Sequence, residues 1–136
     1  MIDCDICRET PGSHSFTRLT EGVDGEVYYY TCPGAAIKYN DVEGILKHYR
    51  LELEKLGGKS WVWILDGAGF GLKHALELKV AIELSSLVEE YKVSKICVIN
   101  PNIYVKVIKS GLWLFLSSSM KDRIVFDEKE NYVLRM

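Results

Sequence analysis

Four short runs rich in β-branched and aromatic residues constrain the fold most: "EVYYYTC" at 26–32, "SWVWILD" at 60–66, "KICVIN" at 95–100 and "RIVF" at 123–126. Each reads as a strand. Between them lie stretches long enough to be helices. "NDVEGILKHYRLELEKLGG" offers Asn40 or Asp41 as an N-cap, apolar positions at Val42, Ile45, Leu46, Tyr49, Leu53 and Leu56, and Gly57-Gly58 as a stop. "LKHALELKVAIELSSLVEEY" carries a stripe of Leu72, Leu76, Val80, Leu84, Leu87 and Tyr91 and predicts one helix over 72–91, with a smaller patch at Ala75, Leu78 and Ile82. A helix between two strands returns the chain to the end of the sheet where it began. The alternation therefore implies right-handed crossovers and an α/β domain with a predominantly parallel sheet, in two or three layers. The continuous apolar runs "WVWIL" and "ICVI" fit strands buried on both faces.

The polar opening up to Asp24-Gly25 reads as turns, which places a cysteine-containing appendage at 1–24 and the α/β domain at 25–136. A net charge of −2 with 26% charged residues excludes a general nucleic-acid-coating protein. "MIDCDICRET" lacks a basic stretch followed by an apolar one, so a cytoplasmic location is expected. In that compartment Cys4, Cys7, Cys32 and Cys97 are thiols or metal ligands rather than disulfides. Cys4, Cys7, His14 and Cys32 form a candidate Cys3His site for structural zinc, and buried apolar packing is the alternative for Cys32 and Cys97.

Gly67, Gly69 and Gly71 follow a strand and precede a helix, as in dinucleotide-binding turns. That fingerprint needs its third glycine one position later, where Leu72 stands, and Asp66 would set a carboxylate beside the pyrophosphate. A strand-to-helix turn with positive φ at Gly67 and Gly69 fits better. His48 and His74 read as packing or capping histidines. Asp66 is the best acid candidate, at the C-terminal end of a central strand, with a turn-forming role as its alternative. No nucleophile elbow, metalloprotease motif or phosphate-binding loop appears, so the chain is expected to be non-enzymatic, with no catalytic residue and no required cofactor.

The segment "NPNIYVKVIKSGLWLFL" predicts a helix capped by Asn100, with Pro101 at its first position and apolar residues on nearly every side. One face must pack on the sheet, and the rest needs another partner. Gly111 weakens it in mid-helix, as suits a hinge. Lys106, Lys109, Lys121 and Arg123 would face anionic head groups if the helix met a membrane surface.

"EVYYYTCPGAAIKYNDVEGILKHYRLELE", "WVWILDGAGF" and "KICVINPNIYVKVIKSGLWLFLSSSMKDRIVF" together resemble the CRAL-TRIO lipid-binding domain over residues 25 to 126. The last block carries most of the resemblance, from Asn-Pro through a gate helix to a "PFLS"-like end, with Leu114 in place of that proline. The helical lobe that precedes the domain in that family is replaced here by the cysteine-containing segment, and the sequence is similar to the short BCH and Rho-GAP-associated branch. The resemblance implies a lipid-binding or lipid-transfer module, with Tyr104, Ile108, Leu112, Trp113, Phe115 and Leu116 around an apolar or amphipathic lipid and Lys106 and Lys109 at its head group or a membrane. The same branch implies a protein-interaction module, binding small GTPases or scaffolds, as the alternative.

Overall fold

The computed structural model describes residues 4–22 and 25–127. Helix α1 (Asp5–Glu9) leads to strand β1 (Thr17–Glu21), then β2 (Val27–Thr31), α2 (Val42–Leu53), β3 (Trp61–Asp66), α3 (Leu72–Ala75), α4 (Leu78–Glu90), β4 (Lys95–Ile99), α5 (Ile103–Leu112), α6 (Ser118–Arg123) and β5 (Ile124–Asp127). The sheet runs β1-β2-β3-β4-β5, antiparallel between β1 and β2 and parallel from β2 to β5. This is the α/β architecture that the alternation requires.

Parallel neighbours added one after another in a single direction, each by a right-handed crossover, put their helices on the same side of the sheet. The packing agrees. One core cluster joins Tyr29, Trp61, Trp63, Ile96 and Val98 of the strands to Tyr49 and Leu53 of α2, Leu87 and Val88 of α4, Val105 of α5 and Met120 of α6. The opposite face gathers Val62, Ile64, Cys97 and Ile99 with Tyr28 and Tyr30, all of them strand residues. The central strands β3 and β4 are thus buried on both faces.

Residues 4–22 are built into the domain and are no appendage. β1 pairs with β2, and Phe16 is fully buried, stacked between Tyr29 and Tyr49 with ring centroids 4.5 and 3.8 Å away. The expected turn at Asp24-Gly25, and the part of the domain beyond Asp127, include positions outside the described residues.

Helix α2 begins where expected, with the Asp41 carboxylate accepting from the Gly44 amide, and Gly57 stops the following 3₁₀ turn at φ +59°. The segment 72–91 is two helices rather than one. The chain leaves helical geometry at Glu77 (φ −94°, ψ 54°), and Leu72 and Leu76 are 59% and 73% exposed.

The third long helix starts two residues later than expected. Asn102 is its cap, accepting from the amides of Tyr104 and Val105 at 3.0 and 3.1 Å. Asn100 cannot serve, because an N-cap has extended backbone geometry whereas Asn100 is left-handed at φ +48°. The helix ends at Leu112 and a 3₁₀ turn carries Trp113–Phe115.

Candidate functional site: an apolar cavity and a thiol-imidazole cluster

The apolar side chains that α5 cannot place against solvent enclose a cavity of about 150 Å³ between the helices and the sheet. Its floor is Trp63 and Leu65 of β3 with Ile96 and Val98 of β4. Val80 and Leu84 of α4 form one wall. Val105, Ile108, Leu112, Trp113 and Leu116 roof it, and Ile124 and Phe126 close the far end. A volume of this size admits a molecule about as large as benzene. It is far smaller than a two-chain lipid.

Four of the six expected ligand contacts, Ile108, Leu112, Trp113 and Leu116, line the cavity. Tyr104 and Phe115 do not. Both project outward, with Phe115 62% exposed, because the helix presents their side to solvent. Ile103, Val107 and Leu114 share that exposure, and Leu114 reaches 85%. Lys109 folds over the cavity mouth rather than reaching out, its ammonium 4.4 Å from the Phe126 ring centroid and 5.0 Å from that of Trp113. Lys121 lies 5.8 Å from the Trp113 ring centroid. Lys106 is exposed on α5, and Arg123 donates to the Val93 carbonyl at 2.9 Å.

One polar atom stands out at the rim. His74 is buried, lines the cavity, and accepts from the Gly71 amide through Nδ1 at 2.9 Å, so it caps α3 as its position suggested. Burial and the neighbouring Lys73 hold its pKa below the ordinary value, which favours the neutral ring. With Nδ1 accepting, the proton of that ring sits on Nε2. Nε2 is the one buried side-chain nitrogen or oxygen without a partner among the described residues.

Asp66 behaves as a turn-former. Its carboxylate accepts from the Ala68 amide at 2.9 Å, from the Asn100 side chain at 3.0 Å and from the Tyr30 hydroxyl. Gly69 has the expected positive φ, +75°. Gly67 does not, and its constraint is proximity: a Cβ there would lie 2.6 Å from the Asn100 carbonyl oxygen.

Away from the cavity, Cys4, Cys7, His14 and His48 bring one ligand atom each to within 4.8 Å of one another, a set able to hold a metal ion. Cys4, Cys7 and His14 are among the expected ligands, and Cys32 is not. Cys32 leaves β2 toward the other side, its thiol donating to the Ala68 carbonyl at 3.4 Å. The fourth place belongs to His48, from the middle of α2. Its signal was its spacing, three residues after Ile45 on the apolar side of that helix. Burial holds the His48 pKa below its ordinary value and raises that of Cys7, which Cys4 raises further.

Among the described residues no helix is long and apolar enough to cross a membrane. The chain matches no protein-family model and none of the curated proteins with which it was compared.

Proposed function

We propose that the chain is a CRAL-TRIO-like, non-enzymatic module that binds an apolar or amphipathic lipid under α5. The observation that carries this reading is the cavity itself, lined almost wholly by apolar side chains and roofed by a helix whose outer side is apolar as well. A single-chain amphiphile fits better than a two-chain lipid. At about 150 Å³ the cavity holds one short apolar group, and a longer chain needs α5 and its 3₁₀ turn to swing outward around Gly111. The unpartnered Nε2–H of His74 offers a hydrogen bond to a hydroxyl, carbonyl or carboxylate oxygen of the ligand. The exposed Ile103, Val107, Leu114 and Phe115, with Lys106 beside them, suit contact with a membrane from which such a ligand is taken.

The test is organic extraction of purified protein with mass spectrometry, joined to displacement of a fluorescent fatty acid. Ala81 of α4 also lines the cavity, so saturable binding that a plain fatty acid displaces, and that Ala81→Phe reduces by filling the cavity, is the expected result. Binding that Ala81→Phe leaves unchanged, in protein that carries no lipid, removes the proposal and favours a protein partner for the same apolar surface.

A further inference from the structure

We infer that Cys4, Cys7, His14 and His48 form a structural Cys2His2 zinc site that clamps the N-terminal segment to α2. Three sulfur-nitrogen separations carry the geometry: Cys4 Sγ to His14 Nδ1 at 3.5 Å, Cys7 Sγ to His14 Nδ1 at 3.7 Å, and Cys7 Sγ to His48 Nδ1 at 3.5 Å. Zinc bonds of about 2.3 Å to sulfur and about 2.05 Å to nitrogen give a tetrahedral sulfur-nitrogen edge of about 3.6 Å. Three edges of the tetrahedron are therefore already at their required length. No separation within the set exceeds 4.8 Å, against tetrahedral edges of about 3.3 to 3.8 Å, so closure on a metal needs shifts of no more than about 1.5 Å.

The surroundings of the two imidazoles point the same way. His48 Nε2 lies 3.0 Å from the Phe16 carbonyl, which can only accept, so Nε2 holds the proton and Nδ1 presents its lone pair. His14 Nε2 lies 3.0 Å from Asp41 Oδ2, the carboxylate that also caps α2. Carboxylate and carbonyl partners on the far nitrogen are the usual supports of metal-bound histidines, because they fix the tautomer and aim the ring. Both rings are thus oriented toward one point from outside.

Charge and burial choose the ion. Two thiolates and two neutral imidazoles neutralise a divalent cation, which makes the assembled site compatible with the burial of Cys4, Cys7 and His14. Binding displaces two thiol protons into solvent and changes no oxidation state. Four protein donors of mixed sulfur and nitrogen type, with no place left for water, describe structural zinc rather than a catalytic metal. The site joins α1 and the turn before β1 to the middle of α2, and so fixes the entry of Phe16 into the core.

Elemental analysis of the full chain, purified without chelator, is expected to find about one zinc per molecule. Reduced, chelator-stripped protein titrated with Co²⁺ in the absence of oxygen is expected to show tetrahedral d–d absorption and thiolate charge transfer, saturating at about one equivalent. His48→Asn should lose most of that spectrum, whereas Cys32→Ser and Cys97→Ser keep it. Folded wild-type protein that carries no zinc and gives no thiolate–cobalt spectrum overturns the inference. So does a spectrum lost in Cys32→Ser and kept in His48→Asn, which would assign the fourth ligand to Cys32. The wild-type titration decides even if the His48 variant does not fold.

Discussion

Asn100 donates its side-chain amide to Asp66 Oδ1 at 3.0 Å, tying the residue after β4 to the last residue of β3. Asp66 is buried and accepts two further bonds, so its removal strands three donors at once. Asp66→Ala is expected to cost about 2–4 kcal/mol in urea unfolding, and Asp66→Asn, which keeps one acceptor oxygen, about 1–2 kcal/mol. An exposed acid at this position would give both variants values within about 0.5 kcal/mol of zero.

The adjoining glycines should respond for different reasons. Gly67→Ala forces a methyl group against backbone, at the Asn100 carbonyl, and is expected to cost about 1–3 kcal/mol. Gly69→Ala meets nothing nearer than 3.6 Å but must hold φ at +75°, for about 1–2 kcal/mol. Neither variant nor the parent should bind a dinucleotide in calorimetry, and binding by the parent would restore the cofactor reading of this turn.

Alkali should destabilise the protein through two shielded phenols, Tyr49 buried and Tyr30 half-buried. Burial raises the pKa of Tyr30, with Asp66 raising it further, and burial likewise raises that of Tyr49 against a smaller opposing effect of its Thr31 hydrogen bond. A raised pKa means that the native state keeps a proton the unfolded chain releases. The stabilisation is complete below the unfolded value of about 10 and is lost as pH rises above it. Melting temperature followed into alkali should therefore fall beyond about pH 10, and less steeply in Tyr30→Phe. Equal slopes in the two proteins would exclude Tyr30 as a source.

The sequence made the parallel part of the sheet legible because its four strands are apolar enough to stand out. β1 was not, since every residue of "TRLTE" is exposed and no buried alternate face exists to read. The helix break at Glu77 was hidden because Leu72 and Leu76 continue the apolar period of α4 while lying outside the core. The roof of the cavity was legible in the apolar excess of 103–116. Its wall at Val80 and Leu84 was not assigned to a site, because core and cavity residues share one hydropathy. His48 escaped for a related reason: its partners lie 41 and 34 positions away in Cys7 and His14, a separation only the fold closes.

The roof separates two kinds of residue, and substitutions should separate them too. Trp113 lines the cavity half-buried beneath Lys109, so Trp113→Glu forfeits the apolar contact of its ring and is expected to destabilise the domain by about 1.5–3 kcal/mol, with Lys109 and Lys121 placed to pair with the new carboxylate. Leu114 is solvent-facing, and Leu114→Glu should change stability by no more than about 0.5 kcal/mol. If the outer side of α5 meets a bilayer, Leu114→Glu nevertheless loses co-sedimentation with anionic vesicles, since insertion of a leucine contributes roughly 1.5–3 kcal/mol. Gly111→Ala completes the set. Its added methyl fits at 3.5 Å from Leu78, so the helix should gain up to about 1 kcal/mol while ligand exchange slows as the hinge stiffens. Thermal melts, vesicle co-sedimentation and stopped-flow release of a fluorescent fatty acid read the three variants. Faster or unchanged release from a stabilised Gly111→Ala protein would place the moving part elsewhere than in α5.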